Sequence, residues 1–186
     1  MSKREEIIRR ADTLIREKGY NAFSFYDIAA QVGIKTASVH YHFPTKTDLG
    51  IAVVDWQTTQ LQSQIDALKG RSPRENLDGF LSIYDRIQKE DKVCIVGSLA
   101  PDFNTLDSKL QQRLKGFSAA LLAWVGQFLE AGKKEKVFIF VGSPRTRALM
   151  IITSMMAAVQ ICRLTDPVDY GHIKKNIIND LIQLES

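Results

Sequence analysis

Three histidines and two cysteines are the side chains of this sequence best suited to metal binding or nucleophilic chemistry. His40 and His42 are two positions apart, and on a helix such side chains diverge, whereas a metal-binding pair needs a spacing of three or four. His172 stands alone, and no H-E-x-x-H, paired-cysteine or glycine-rich phosphate-binding motif is present. We therefore expect no metal, no cofactor and no catalytic site, with an all-helical enzyme as a distant alternative.

The two cysteines, Cys94 and Cys162, are too few for a disulfide framework, which favours reduced thiols in a cytoplasmic protein. Lys92 and a helix N-terminus near Cys94 could lower its thiol pKa and make it reactive. The alternative, which we favour, is a small buried cysteine that packs at the start of a helix. No apolar run is long enough to span a membrane, and the charged N-terminus does not resemble a secretory signal.

The segment from residue 24 to residue 46 is suited to binding nucleic acid rather than to metal binding or catalysis. Its hydroxyl, basic and histidine side chains can contact phosphates and base edges. Residues 1–46 carry eight basic and five acidic side chains, which is most of the chain's net charge of +4. A basic excess of this kind favours a polyanionic partner, although an ordinary solvated surface would also account for it.

Helix start and stop signals predict how these side chains are positioned. Residues 3–18 have apolar residues at helical spacing and end at Gly19, Ser24 begins a second helix, and residues 35–42 fit a third. A tight turn at Gly33 separates the second and third helices, which is the pattern of a helix-turn-helix. In that motif the second helix lies against the DNA backbone, and the third presents its N-terminal half to the major groove.

The rest of the chain predicts more helices and no sheet. The expected helices cover about residues 46–69, a segment from Pro73, a short stretch within 94–103, residues 107–131 with Gly132 beyond their end, a segment from Pro144 to Leu164, and a last helix marked by Ile173, Ile177, Leu181 and Leu184. Residues 137–141 are β-rich but have no partner strand, so we predict an extended apolar loop. The expected fold is all-α, with a three-helix DNA-binding domain at 1–45 and a helical-bundle domain at 46–186.

The stretch from Phe25 to Leu49 resembles the TetR family of transcriptional regulators. It reads FYDIAAQVGI and then KTASVHYHFPTKTDL, where the family has an IA-x-x-x-GV helix and turn before a recognition helix that ends in YxHF-P-S-K-x-x-L. The resemblance covers roughly residues 5–50. It implies a homodimeric regulator that binds a palindromic double-stranded DNA operator and is released by a small-molecule effector. We expect this regulator to be a repressor.

The resemblance also implies roles for individual residues. Lys35, Thr36 and Ala37 occupy positions where the family contacts bases. The positions where it contacts phosphates are occupied by Ser24, Ser38, His40, Tyr41 and Lys46. His40 departs from the pattern, since the family commonly has tyrosine there. Val39, His42 and Phe43 are expected to face the core of the small domain.

In this family the C-terminal helices enclose a ligand pocket and form a dimer interface. The candidate pocket residues are Trp56, Phe80, Tyr84, Cys94, Phe103, Phe117, Leu121 and Trp124. They include no strong charged anchor, which favours an apolar or aromatic effector. The residues that suit a four-helix dimer interface are Met155, Met156, Val159, Ile173, Ile177 and Ile178. Burial of the same residues within the monomer is the alternative.

Two other functions stay open at this point. Proteins of this fold can bind chromosomes structurally, without a ligand. The segment from Cys94 to Ala100 also resembles one in TetR-type regulators, some of which sense electrophiles or oxidants through a cysteine at that place, so Cys94 is a candidate redox sensor.

Overall fold

The computed structural model of the protein describes residues 1–182, and within them it contains α-helices and short 3-10 turns but no strand. The helices of the described residues are α1 (Lys3–Lys18), α2 (Phe25–Val32), α3 (Thr36–His42), α4 (Lys46–Ala67), α5 (Pro73–Lys89), α6 (Ile95–Leu99), α7 (Ser108–Lys134), α8 (Pro144–Ile161) and α9 (Val168–Asn179). The all-α prediction is confirmed. Leu184, predicted to continue the last helix, lies outside the described residues.

Local capping signals set the ends of the first helices where the sequence predicts them. Ser24 and Asp27 form a capping box at the start of α2, in which each side chain bonds the backbone N–H of the other. The helix ends at Gly33, which adopts the left-handed conformation with φ 71°. The N–H of Ile34 then donates to the carbonyl of Ala29 at 3.0 Å, which closes the turn into α3. The predicted helix-turn-helix geometry is therefore present.

Two further helix starts confirm the sequence prediction. The hydroxyl of Thr45 accepts the N–H of Asp48 at 3.1 Å, and the Asp48 carboxylate accepts the N–H of Thr45 at 3.0 Å, which caps α4. Ser72 caps α5 in the same way through Glu75, with Pro73 at the first helical position.

The end of α7 differs from the prediction, because the helix continues through Gly132 to Lys134. The ring of Phe138 packs against Gly132, where a Cβ would lie 2.6 Å from Cε2 and 2.9 Å from Cγ of that ring. Gly132 is thus required by packing within the helix and does not end it. The following segment is the predicted extended loop, with Phe138 and Phe140 buried and Ile139 and Val141 exposed.

The helices pack into two compact units, each built from two separate stretches of the chain. The first unit comprises Met1–Leu61 and Lys92–Ser118, so it holds α1–α3, α6, most of α4 and the start of α7. The second unit comprises Gln62–Asp91 and the residues from Ala119 onward. The functional boundary between residues 45 and 46 stays a prediction. No helix of the described residues is long and apolar enough to cross a membrane.

Candidate DNA interface and ligand groove

Two buried side chains anchor α3 in the first unit and leave its other face exposed. Val39 and Phe43 are almost fully buried, as predicted, whereas His42 is half-buried. Because residues three and four apart share one face of a helix, burial at these positions turns the intervening side chains outward. The predicted contact residues on that outer face are Lys35, Ala37, Ser38, His40 and Tyr41, with Thr36 half-buried at the first helical position.

The outer face of α3 borders a shallow surface groove of about 370 Å³. Its lining brings together four predicted contact residues, Lys35, Ala37, Ser38 and Tyr41. Lys3 and His42 also line the groove. The structure therefore collects cationic, hydroxyl and aromatic side chains on one surface, and these are the groups that contact phosphate and base edges.

Ser24 lies at the exposed N-terminus of α2, but its hydroxyl is already engaged. The Oγ–H donates to Oδ2 of Asp27 at 2.7 Å, and Oγ accepts the N–H of Asp27 at 3.4 Å. The side-chain and backbone hydrogen bonds from Ser24 lower the pKa of Asp27 below its ordinary value. A phosphate at this helix end would have to displace the Asp27 carboxylate as the acceptor of the Ser24 Oγ–H, or accept from the backbone N–H groups of the first turn.

His40 is exposed on α3, and its ring packs edge-on against Phe25 of α2, with centroids 4.7 Å apart at 63°. This contact fixes the plane of the imidazole relative to α2. A ring nitrogen on the solvent side can still donate to a phosphate.

Lys46 has a structural role that its position in the motif did not indicate. Its Nζ donates to the carbonyl oxygen of Phe23 and lies 4.3 Å from the centroid of the Phe23 ring and 5.1 Å from that of Tyr20. Partial burial lowers the pKa of Lys46, and the charge of Asp27 partly opposes this effect. One of the three ammonium donors therefore joins the start of α4 to the turn before α2, which leaves two for a phosphate.

Tyr26 is a candidate contact residue that the sequence reasoning missed. Its side chain is 72% exposed in the first turn of α2, and Tyr41 on α3 is 84% exposed. A tyrosine hydroxyl can donate to a phosphate oxygen. The available signal was its position outside the apolar stripe of Ile28, Ala29 and Val32.

In the second unit, three of the predicted pocket residues form one aromatic cluster. The Phe80 ring lies 5.4 Å from that of Tyr84 and 6.2 Å from that of Trp124, centroid to centroid, in edge-on contacts. Phe128, which has the same helical spacing in the sequence, joins the cluster at 5.9 Å from Trp124. Leu121 is buried in the same unit. Aromatic side chains packed in this way form a large polarisable surface, and such surfaces commonly line small-molecule sites.

An open groove of about 280 Å³ lies beside this cluster, and Trp124 and Phe128 are part of its lining. Lys69, Arg71 and Glu135 add charged groups to the lining. The indole N–H of Trp124 donates to Oδ1 of the Asn76 side chain at 3.0 Å, which holds the ring in place. Of the predicted pocket residues, Trp124 is the one that lines this groove.

The other candidates for the pocket, Trp56, Cys94, Phe103 and Phe117, belong to the first unit. Cys94 and Phe117 are buried, and Trp56 and Phe103 are half-buried. Their role in ligand binding stays a prediction.

Cys94 caps the start of α6 rather than facing solvent. Its Sγ accepts the N–H of Gly97 at 3.2 Å, and only 8% of the residue is exposed. Burial raises the pKa of the thiol, although the Gly97 N–H and the charge of Arg16 oppose this effect. Since the thiolate is the reactive form, these surroundings favour the packing role over the sensing role. Among residues 1–182, no group of three or more His, Cys, Asp or Glu side chains that could hold a metal ion is found.

Comparison with known proteins decides the family. The family model described as bacterial regulatory proteins, tetR family, matches residues 7–53. A TetR transcriptional regulator from Legionella pneumophila, known from its crystal structure, is 30% identical with a TM-score of 0.84, over 97% of this chain and 98% of that one. The chain belongs to the TetR family. It is a DNA-binding transcriptional regulator, and α2 and α3 are its helix-turn-helix.

Two regulators named as helix-turn-helix type give a narrower comparison. The transcriptional repressor KstR2 of Mycolicibacterium smegmatis is 30% identical over 92 residues, which are 47% of this chain and 44% of KstR2. The negative transcriptional regulator IcaR of Staphylococcus epidermidis, of the biofilm operon icaADBC, is 29% identical over 124 residues, 63% of this chain and 64% of IcaR. The chain thus spans less than two thirds of each of these relatives.

Proposed function

We propose that this TetR-family regulator is a repressor that binds a palindromic operator as a homodimer and is released from it by an apolar or aromatic small molecule. The observation that carries the DNA-binding part is the outer face of α3, held outward by the buried Val39 and Phe43. Both KstR2 and IcaR are named as repressors or negative regulators, which supports repression rather than activation.

The surface of α8 supports the dimer. Residues 148–162 contain no charged side chain, although α8 exposes part of its surface. The exposed apolar residues on or just after α8 are Leu149, Met150, Ile161 and Leu164, the last of them 83% exposed. An uncharged, partly apolar helix face on a monomer is typical of a surface that a second copy covers. Met155 and Val159 are instead buried within the monomer, so the proposed contact uses the neighbouring residues of α8.

The aromatic cluster supports the class of effector. Trp124 and Phe128 line the groove, Phe80 packs against both of their rings, and the groove has room for a small molecule. Such a molecule releases the operator only if it binds the DNA-free conformation more tightly, and its differential affinity sets the size of the shift.

The test is selection of a random DNA duplex library on the purified protein at fixed salt concentration, followed by sequencing of the retained duplexes. Enrichment of a palindrome is expected, because two copies of α3 contact symmetric half-sites. Thr36→Ala should change the enriched sequence, whereas Lys46→Ala should weaken retention of all sequences alike. Lys134→Ala, on the exposed end of α7 in the second unit, removes the same charge and should leave both unchanged.

The other outcomes separate the remaining alternatives. Retention without sequence preference would favour a structural chromosome-binding protein. No retention, also after denaturation and refolding to remove a bound effector, would contradict the proposal.

A further inference from the structure

Two charged residues of α1 lie in the interior of the first unit. Asp12 is 3% exposed and Arg16 is 8% exposed, and they are the buried charged residues of the described chain. They form an ion pair, with an Arg16 guanidinium nitrogen 3.3 Å from Oδ2 of Asp12. Burial of an ion pair costs hydration free energy, so such a pair needs further hydrogen bonds to be tolerated.

On the Asp12 side the further hydrogen bond comes from α4. Nε2 of Gln57 donates to Oδ1 of Asp12 at 2.5 Å. Gln57 lies in the fourth turn of α4, the helix that leads away from the helix-turn-helix. Both carboxylate oxygens of Asp12 therefore have a partner, one within α1 and one on α4.

On the Arg16 side the partner is the backbone just before α6, which is bonded twice. Nε of Arg16 donates to the carbonyl oxygen of Val93 at 2.8 Å. The N–H of Val93 donates in turn to the carbonyl oxygen of Arg16 at 3.1 Å. Two antiparallel hydrogen bonds between the same two residues fix both the distance and the rotation of α1 relative to this segment.

This arrangement is suited to fixing geometry rather than to adding stability. A buried ion pair gives little net stability relative to apolar side chains of similar volume, but its hydrogen bonds are directional. Here they join the last two turns of α1 to α4 and to the start of α6, while α1 packs on α2 of the helix-turn-helix.

We infer that Asp12 and Arg16 are positioning residues, which hold the helix-turn-helix at one angle to α4 and α6 and so set the half-site spacing that the dimer accepts. This inference rests on the proposed function, because spacing has a meaning only for a dimer on a palindrome. A helix-turn-helix that can pivot together with α1 relative to α4 and α6 can place α3 on half-sites at several spacings, whereas a fixed one fits a single spacing.

The test compares half-site spacing in wild type and in the apolar double variant Asp12→Leu/Arg16→Met. The probes are duplexes with the palindrome selected by the wild-type protein, in which the half-sites are moved apart or together by single base pairs. Wild type should prefer one spacing, and the double variant should keep its half-site sequence while its preference between neighbouring spacings falls by about fivefold or more. Its melting temperature should stay close to that of wild type.

A control and a second variant make the outcomes distinguishable. Arg74→Met/Asp78→Leu removes another pair of opposite charges four residues apart on one helix, exposed on α5, and should leave the spacing preference unchanged. Gln57→Met removes only the α4 partner and should relax the spacing preference in the same direction, which keeps the inference testable if the double variant does not fold. An unchanged spacing preference in every folded variant would overturn the inference and leave the proposed function standing. Failure of wild type to select a palindrome would overturn the proposed function itself.

Discussion

Replacement of Lys46 by alanine separates the two roles that the structure gives this residue. The change removes the hydrogen bond from Nζ to the carbonyl of Phe23 and the contacts of the ammonium with the rings of Phe23 and Tyr20. A hydrogen bond from a charged donor contributes about 1.5–3 kcal/mol when it is buried, and a partly exposed cation–π contact about 0.5–1 kcal/mol. Since Lys46 is only half-buried, we expect the free energy of unfolding to fall by about 2 kcal/mol.

For a chain of this length, such a loss lowers the melting temperature by about 4–8 °C, which a thermal unfolding curve measures. The DNA-binding role has a different observable, the dependence of operator affinity on salt concentration. Each phosphate contact contributes about 0.9 to the slope of log affinity against log salt concentration, so a dimer that loses one contact per protomer should lose about 1.8.

Lys35→Ala is the matched control, because it removes the same charge from an exposed side chain on the same unit. It should leave the melting temperature unchanged and, since Lys35 occupies a base-contact position, change the sequence preference more than the salt slope. If Lys46→Ala lowers the melting temperature but leaves the salt slope intact, Lys46 is structural and its assignment as a phosphate contact is wrong. If it leaves the melting temperature unchanged, the bond to Phe23 contributes nothing and the reasoning from the structure fails.

Three further predictions concern stability. Gly132→Ala should lower the free energy of unfolding by about 1–3 kcal/mol, because the added Cβ overlaps the buried Phe138 ring. Gly116→Ala on the same helix has open space around its Cβ and should raise the free energy of unfolding by up to about 1 kcal/mol. The two variants should therefore shift the chemical denaturation midpoint in opposite directions. Lys136→Gly should stabilise the protein by about 1 kcal/mol, since Lys136 has φ 59°, and an unchanged midpoint would contradict this. Because folding lowers the pKa of Asp27, its contribution to stability is present above the unfolded-state pKa and is lost as pH falls through the folded-state pKa. Asp27→Asn removes this contribution and should therefore reduce the difference between the melting temperatures at about pH 6 and about pH 3.

The sequence predicts the helix ends well wherever the signal is local. The boundaries at Ser24, Gly33 and Pro73 depend on side chains within three or four residues, and the structure confirms them. The predicted end of α7 was wrong because Gly132 resembles a helix stop in the sequence. The ring of Phe138, six residues further on and beyond the helix, occupies the space where a side chain at Gly132 would lie.

The candidate DNA interface follows the same rule. The resemblance to the TetR family predicts the burial of Val39 and Phe43, and helical periodicity then gives the exposed face between them. The hydrogen bond from Lys46 to the carbonyl of Phe23 joins residues 23 positions apart, and no local sequence pattern predicts it. The aromatic cluster shows the same limit, since Phe80 of α5 contacts the rings of Trp124 and Phe128 on α7, a helix far away in the sequence.

The pair Asp12 and Arg16 shows why the positioning residues are the hardest to find. An acidic and a basic residue four positions apart on a helix indicate a solvated pair, and on α5 Arg74 and Asp78 are such a pair, with side chains 42% and 53% exposed. On α1 the same spacing is buried, because Gln57 supplies a donor from 45 residues away and the backbone before α6 supplies partners from 77 residues away. The difference lies wholly in contacts between distant segments. Contacts of that kind join the helix-turn-helix to the helices beyond it, so residues that set its angle look ordinary in the sequence, whereas residues that touch DNA belong to a recognisable motif.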